Sequence, residues 1–391
     1  MATRLAVTLG AVGIAATILA AERTPAQQVP LLRLTRDLGI DAAEHDLSRV
    51  GWLAVSPGGT IAVSQSQDGH IRFFDANGRS LGAFGRKGQG PGEFQTPLRF
   101  GWIADTLVVG DFGTRRFTLI SPERSLVRTV PWLTSVSIPP DARGVQPRVI
   151  SLSPRALYAG GSWLLEASMG EGSPPFPGVA KDQPGGPILR VDNEATLQRV
   201  IGWRHPSPCV TSLRRSEGGF FALALPLCVT PPLEYAADSR RVAIATFDTP
   251  AGRTGSYQVS VVSDTGDTLF ARRYDYPVVP IPSRLLDSVR TAQAALRAAP
   301  DIVALRRSMK LPETWPPIER LVLGRDETVW IEQYTRAGNR VWQVLNARGD
   351  VEGQAAVPRG VRLMAVSREA VWGTDTDEDG LQHIVRYVVS R

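Results

Sequence analysis

Lysine is almost missing from this 391-residue chain. Only Lys87, Lys181 and Lys310 are present, and the other 41 of its 44 basic residues are arginine. The formal charge is +6 and the pI about 9.7. The arginines are dispersed, however, and form no basic run or stripe. The concentrated positive footprint of a nucleic-acid binder is therefore lacking, and the excess reads as a composition bias. Histidine is nearly as scarce, with His45, His70, His205 and His383 alone. No two stand at metal-ligand spacing, there is no His-Glu-x-x-His, and no glycine-rich loop ends in Lys-Ser/Thr. The signatures of a zinc protease and of a P-loop nucleotidase are thus excluded.

Long apolar runs are missing after the N-terminus. Residues 1–26 read as a secretory signal peptide, with Arg4 as the positive segment and Leu5–Leu19 as an apolar stretch short for a membrane span. Cleavage after Ala21 or Ala26 would leave residues 27–391 as one domain in the periplasm or outside the cell, not inserted in a membrane. A retained N-terminal anchor is the competing reading. No cysteine lies near the cleavage site, so no lipid attachment is expected. Cys209 and Cys228 are the only two cysteines. In an oxidising compartment an even count predicts a disulfide, with the turn Ser216-Glu217-Gly218-Gly219 returning the chain between them. Two buried free thiols are the alternative.

What is plentiful is turn chemistry, with 37 glycines and 30 prolines. Short polar turns recur at Asp75-Ala76-Asn77-Gly78, Ser121-Pro122-Glu123-Arg124, Asp192-Asn193-Glu194-Ala195, Ser263-Asp264-Thr265-Gly266 and Asn346-Ala347-Arg348-Gly349. Each lies between two alternating or β-branched stretches, the pattern of half-buried strands. A sixth unit, beginning at Val361–Val366, ends at the C-terminus one strand short. Leu31-Leu32-Arg33-Leu34-Thr35, within 31–36, is a strand without a unit, and joining the two closes a ring. Two β-sandwiches are the rival arrangement.

In the first unit, Thr60–Val63, His70–Phe74 and Ser80–Gly85 lead into Gly88-Gln89-Gly90-Pro91-Gly92-Glu93-Phe94. A hairpin meander ending in this crossover resembles a blade of the six-bladed NHL/TolB-like β-propellers, most strongly over residues 50–131. The resemblance implies an all-β, six-bladed β-propeller that serves as an exported scaffold, usually without catalysis. The alternative that it carries is a metal-dependent lactonase or lyase using the central channel. A helical insertion is expected near 282–310, capped by Ser283, as a flap packed on the ring or a lid over its channel.

Strand parity places the long segments 86–99, 131–148, 168–186 and 276–317 on one face, with the 229–240 stretch as an exception in the fourth unit. That face is the expected binding surface for an extracytoplasmic protein, peptide or glycan. Arg86, Lys87, Gln89, Arg115, Trp132 and Trp315 are its candidate contacts, supplying charge and stacking surface. Gln65, Asp111, Glu166, Asp248, Glu332 and Asp375 stand where second strands exit toward the same face, so carboxylates could converge there. Asp375, Asp377, Asp379 and Gly380 match half of a calcium loop, but Arg386 stands where its bidentate glutamate belongs. Calcium is the one cofactor left open, and a solvated hairpin loop is the simpler reading.

Overall fold

The computed structural model describes residues 29–140, 144–170, 173, 185–205, 209–214, 220–236, 240–248, 250, 252–295, 300–335 and 340–391. The predicted turn at 216–219 lies outside these, as does most of 168–186. Strand β1 spans Leu31–Ile40, and five antiparallel meanders follow it. The first contains β2 (Val50–Val55), β3 (Ile61–Gln65), β4 (His70–Phe74) and β5 (Ser80–Phe84). The second contains β6 (Pro97–Ile103), β7 (Thr106–Asp111), β8 (Arg116–Ile120) and β9 (Leu126–Pro131). The third contains β10 (Val149–Leu157), β11 (Trp163–Met169), β12 (Gly186–Val191) and β13 (Leu197–Arg204). A separate hairpin, β14 (Val210–Arg214) with β15 (Phe220–Ala224), precedes the fourth meander.

That fourth meander has β16 (Leu233–Ala236), β17 (Arg241–Phe247), β18 (Thr254–Ser263) and β19 (Thr268–Pro277). Helices α1 (Ser283–Ala295) and α2 (Pro300–Ser308) separate it from β20 (Arg320–Leu323), β21 (Val329–Tyr334), β22 (Arg340–Leu345) and β23 (Val351–Ala355). Finally β24 (Val361–Val366), β25 (Ala370–Thr376) and β26 (Gln382–Ser390) pair in order, and β1 adds to β26 as a fourth strand.

The meanders pack face to face in sequence. One apolar cluster joins the first two meanders through Ile71, Phe73, Phe94 and Trp102. Others join the second to the third through Phe117 and Trp163, the third to the fourth through Tyr158 and Val262, and the fourth to the fifth through Tyr257 and Ile331. Trp330 and Trp342 meet Val371 and Val385 of the last unit. That unit meets the first through Trp372, Ile384, Leu53 and Phe74. The result is an all-β propeller.

Closure runs further than the expected 31–36. Strand β1 pairs antiparallel with β26 from Arg33↔Ser390 to Ile40↔Ile384. Its first residues also pair in parallel with β23, Leu31 with Gln354 and Leu32 with Ala355. The sequence assigned this strand to the last unit alone. It instead clamps two neighbours, which unites their strands in one eight-stranded sheet.

The Gly/Pro crossover folds as a compact turn. Phe94 donates its amide to the Arg86 carbonyl at 2.9 Å, and Gly88 donates to the Phe94 carbonyl at 3.1 Å. The Phe94 ring is fully buried between the first two units. Gly85 sits at φ +89°, and a Cβ there would stand 2.6 Å from that ring, so only glycine fits.

One expectation is overturned. Residues 233–236 of the 229–240 stretch form β16, the inner strand of the fourth meander, and do not belong to a loop. Two prolines precede a four-residue strand, which erased its sequence signal. The chain instead spends 210–224 on the extra hairpin. Cys209 and Cys228 close that hairpin by a disulfide, with Cα atoms 5.3 Å apart.

Two outcomes follow. Ile40, 2% exposed at the last pair of β1 with β26, should cost about 2–5 kcal/mol as Ile40→Ala. Leu31→Ala, at a position 75% exposed, should change urea-unfolding stability by no more than about 0.5 kcal/mol. Equal effects would contradict closure by this strand. Thiol titration of unreduced, unfolded protein should find no reactive cysteine, whereas two would contradict the bridge.

Candidate functional site

The inner strands β2, β6, β10, β16, β20 and β24 surround the ring axis, and neighbours among them approach one another around it. Side chains alternate along a strand, so each inner strand sends every second residue into the lumen. Trp52, Arg99, Arg155, Glu234, Arg320 and Arg362 line its inner reaches. One step along the strands stand Ala54, Gly101, Ala236, Val322 and Met364, which are small or apolar. Beyond that second layer the lumen opens into a chamber of about 570 Å³ on the face of the short turns. A smaller chamber of about 280 Å³ opens toward the long connections. Trp52 and Glu234 line both.

Among the described residues the charged layer is unbalanced, with four arginines against Glu234, and with Glu319 at the edge of the smaller chamber. Arg155 is compensated by Glu166 at 2.8 Å, which also receives Arg204 at 2.7 Å and the Tyr235 hydroxyl. The Tyr235 ring lies between Arg155 and Arg99, at 5.7 and 5.9 Å from their guanidinium carbons. Arg99 also lies 5.6 Å from the Phe112 ring centre. These aromatic faces orient Arg99 without neutralising it. Arg320 donates to the Leu363 carbonyl and stacks on Trp342. Among the described residues, no hydrogen bond or close ion pair engages the side chains of Arg99, Arg362 or Glu234.

Desolvation lowers the Arg99 pKa to about 10, helped by neighbouring Arg155, so the group remains cationic near neutrality. Glu234 shifts the other way. Loss of hydration raises its carboxyl to about 7, against the pull of Arg99 and Arg320. Protein surrounds Glu234, yet the residue keeps some accessible surface because it faces the lumen. It therefore titrates within reach of solvent.

The contacts predicted from sequence are largely engaged within their own connections. Arg86 pairs with Glu93 at 2.7 Å, and the Lys87 amine donates to the carbonyls of Ser66 and Gln95. The Gln89 carbonyl accepts from Arg116 at 2.8 Å. Arg115, at φ +52°, accepts the Trp132 amide at 2.9 Å through its carbonyl. Trp132 packs edge-on against Phe112 at 4.9 Å, so these five residues occupy one neighbourhood at the second meander. Trp315 is elsewhere, stacked on Tyr334 at 4.6 Å in the fifth.

The polar residues at second-strand exits do not converge. Gln65 bonds His70 and Arg72, and Asp111 accepts the amides of Gln95, Thr96, Gly113 and Thr114. Asp248 takes Ser256 and Arg273, Glu332 takes Arg340, and Asp375 takes Arg36. Of these, Glu166 alone forms an ion pair with an arginine of the inner charged layer. Asp377 of the proposed calcium loop bonds His383 and the Leu381 amide. Among the described residues, no three His, Cys, Asp or Glu side chains gather as a metal site. Gly78-Arg79-Ser80-Leu81-Gly82 spells a nucleophile-elbow pattern, but Ser80 opens outer strand β5 and no helix follows it.

Sequence reasoning missed Arg99, Arg155, Glu234, Arg320 and Arg362. Their signal was a charged residue followed two positions later by a small or apolar one, as in Arg99/Gly101, Glu234/Ala236 and Arg362/Met364.

No family model and no curated protein matches the sequence. Among solved structures, a member of the DUF4221 family from Bacteroides vulgatus is similar with a TM-score of 0.50 at 11% identity, over 92% of this chain and 98% of that one. Virginiamycin B lyase from Staphylococcus aureus aligns with a TM-score of 0.39 at 10% identity, over 91% and 99%. A PQQ-bound aldose sugar dehydrogenase from Streptomyces coelicolor gives 0.39 at 15%, over 92% and 98%. At these identities the likeness concerns the fold alone.

The Glu234 shift has a measurable sign. Between its ordinary value of 4.5 and about 7, the folded protein holds a proton that the unfolded chain has released. The contribution of this group is fully present below the lower value and is lost as pH rises through the upper. Glu234→Gln should match the parent near pH 4 and exceed it by roughly 1–3 kcal/mol at pH 8 in urea unfolding. A difference independent of pH would show that Glu234 titrates normally.

Proposed function

We propose that this chain is an exported, six-bladed propeller of the NHL/TolB-like type that binds a small organic anion in its central channel. The observation that carries the reading is the charged layer, in which, among the described residues, no hydrogen bond or close ion pair engages the side chain of Arg99 or Arg362, and only Arg155 of the four arginines has its charge met by a carboxylate within 4 Å. A guanidinium offers a planar pair of donors suited to carboxylate or phosphate, and in a narrow lumen its charge is poorly screened. The apolar second layer and the 570 Å³ chamber suit the body of such a ligand. Trp52, shared by both chambers, offers a stacking face.

A polymer bound on the face of the long connections has less support. Arg86, Lys87 and Trp132 there already serve their own connections. The metal-dependent alternative meets an electrostatic objection, since a lumen rich in guanidinium groups repels a divalent cation. Export rests on the signal-like residues 1–26. The NHL/TolB-like assignment rests on the six meanders and the Gly85–Phe94 crossover.

Isothermal titration with benzoate, citrate and phosphate, against neutral benzyl alcohol, tests the reading. At least one anion should bind saturably at one site, and benzyl alcohol should not. Arg99→Met or Arg362→Met should weaken that binding by about ten- to a hundred-fold. For benzoate, which stays ionised across this range, affinity should rise as the pH falls from 8 to 6, because protonated Glu234 no longer repels the anion, and Glu234→Gln should abolish that dependence. Binding indifferent to both arginines would overturn the proposal.

A further inference from the structure

The helical insertion encloses a second cavity, of about 460 Å³ and lined only by residues 286–313. Its floor is apolar, formed by Leu286, Ala294, Val303, Met309 and Leu311. Among the described residues, Arg290, Arg306, Arg307 and Lys310 stand around it with one acidic residue, Glu313, and Arg290 is paired with Asp287 at 3.0 Å. No residue of α1 is fully buried, and Leu286 is half-exposed, so part of this apolar surface is open to solvent.

One atom points to an occupant. Nη1 of Arg306 is buried and has no hydrogen-bond partner. A buried donor left unsatisfied costs roughly 1–3 kcal/mol, a cost that a small turn of this cavity-lining guanidinium toward an acceptor in the cavity would remove. The basic residues of the last turn of α2, Arg306 and Arg307, complement the helix dipole, but that role needs no buried guanidinium nitrogen.

We infer that the groove between α1 and α2 binds a single-chain anionic amphiphile. Its carboxylate sits against Arg306, and its hydrocarbon chain lies along Leu286, Val303 and Met309. Charge complementarity selects this occupant: among the described residues the apolar trough is lined by four cations, of which Arg290 is met by Asp287, and by one acid, which suits an apolar body with one anionic end. The cavity volume falls in the range of about 300–1,000 Å³ typical of small-molecule sites. The site is separate from the channel and does not depend on the reading given to it.

The test is isothermal titration of the full chain with monomeric dodecanoate, kept below its micelle concentration. Every titration is run with the channel saturated by benzoate, and wild type should then bind one equivalent. Arg306→Met should weaken binding about ten-fold, the expected loss of one charge-assisted hydrogen bond. Ala294→Trp, at an exposed lining position that tolerates a larger side chain, should fill the groove and abolish binding. Arg99→Met in the channel should leave it unchanged, and dodecyltrimethylammonium should bind at least about ten-fold more weakly. The inference is overturned by absent saturable binding or by equal affinity for the two head groups. It is also overturned by loss of binding in Arg99→Met, or by binding to phosphatidylglycerol vesicles without binding of the monomer.

Discussion

The antiparallel pairing of β1 with β26 joins the two ends of the described chain in one sheet. Without it the last unit would expose a strand edge and the first would lose a neighbour. Because each meander is buried on both faces by the next, no unit reaches its full apolar burial until the ring is complete. The parallel contact of Leu31 and Leu32 with β23 adds a latch, and the Leu32 side chain lies against Gly353, where a Cβ would stand only 2.7 Å away. The lumen exists only in the closed state. Its inner strands come from residues as distant as Val50 and Val366, and closure alone brings their side chains around one axis.

That dependence explains how a channel can hold several arginines. Guanidinium groups stack on aromatic faces as ammonium groups do less well. The same device recurs through the ring, with Arg190 over Tyr158, Arg340 over Tyr334 and Arg386 over Trp372, the last at 4.9 Å. A chain with 41 arginines and three lysines can thus place cations beside its interblade aromatics at modest cost. In the lumen the aromatic partner fixes the side chain while leaving its donors free. This separates Arg99, held by Tyr235 and Phe112, from Arg155, whose charge Glu166 already meets. Glu234 completes the layer as the group whose charge changes near neutrality.

The propeller was legible in the sequence because its third-to-fourth-strand turns are built by local side chains. Asp75 Oδ1 accepts the amides of Asn77 and Arg79, both at 2.9 Å. Asp192 and Asn346 do the same for the residues two and four positions on, and the Ser263 hydroxyl serves Thr265 and Asp267. Such turns announce themselves wherever they occur. The channel was not legible for the opposite reason. Its residues are contributed singly by strands far apart in sequence, and β16 is four residues long behind two prolines. A charge within such a strand looks like loop composition until closure shows which side it faces. Residues 86–94 had the reverse fate. Their density of charge and glycine drew notice, yet Arg86, Glu93 and the Arg116 guanidinium are used to hold the crossover itself.

The insertion between β19 and β20 belongs to neither pattern. Its base is fixed to the scaffold: Ile281 donates to the Glu313 carbonyl, Trp315 donates to that of Val279, and Trp315 stacks on Tyr334. Its helices behave differently, because α1 buries no residue fully and leaves Leu285, Leu286 and Val289 half-exposed. A segment anchored at both feet that leaves leucine, valine and methionine around an open cavity gains little stability from being there. The ring does not need it for closure, since β16 and β20 already meet directly and their meanders share one apolar cluster. Its apolar trough and the unpaired Arg306 nitrogen therefore call for an explanation other than folding. Binding is the explanation that accounts for both features at once.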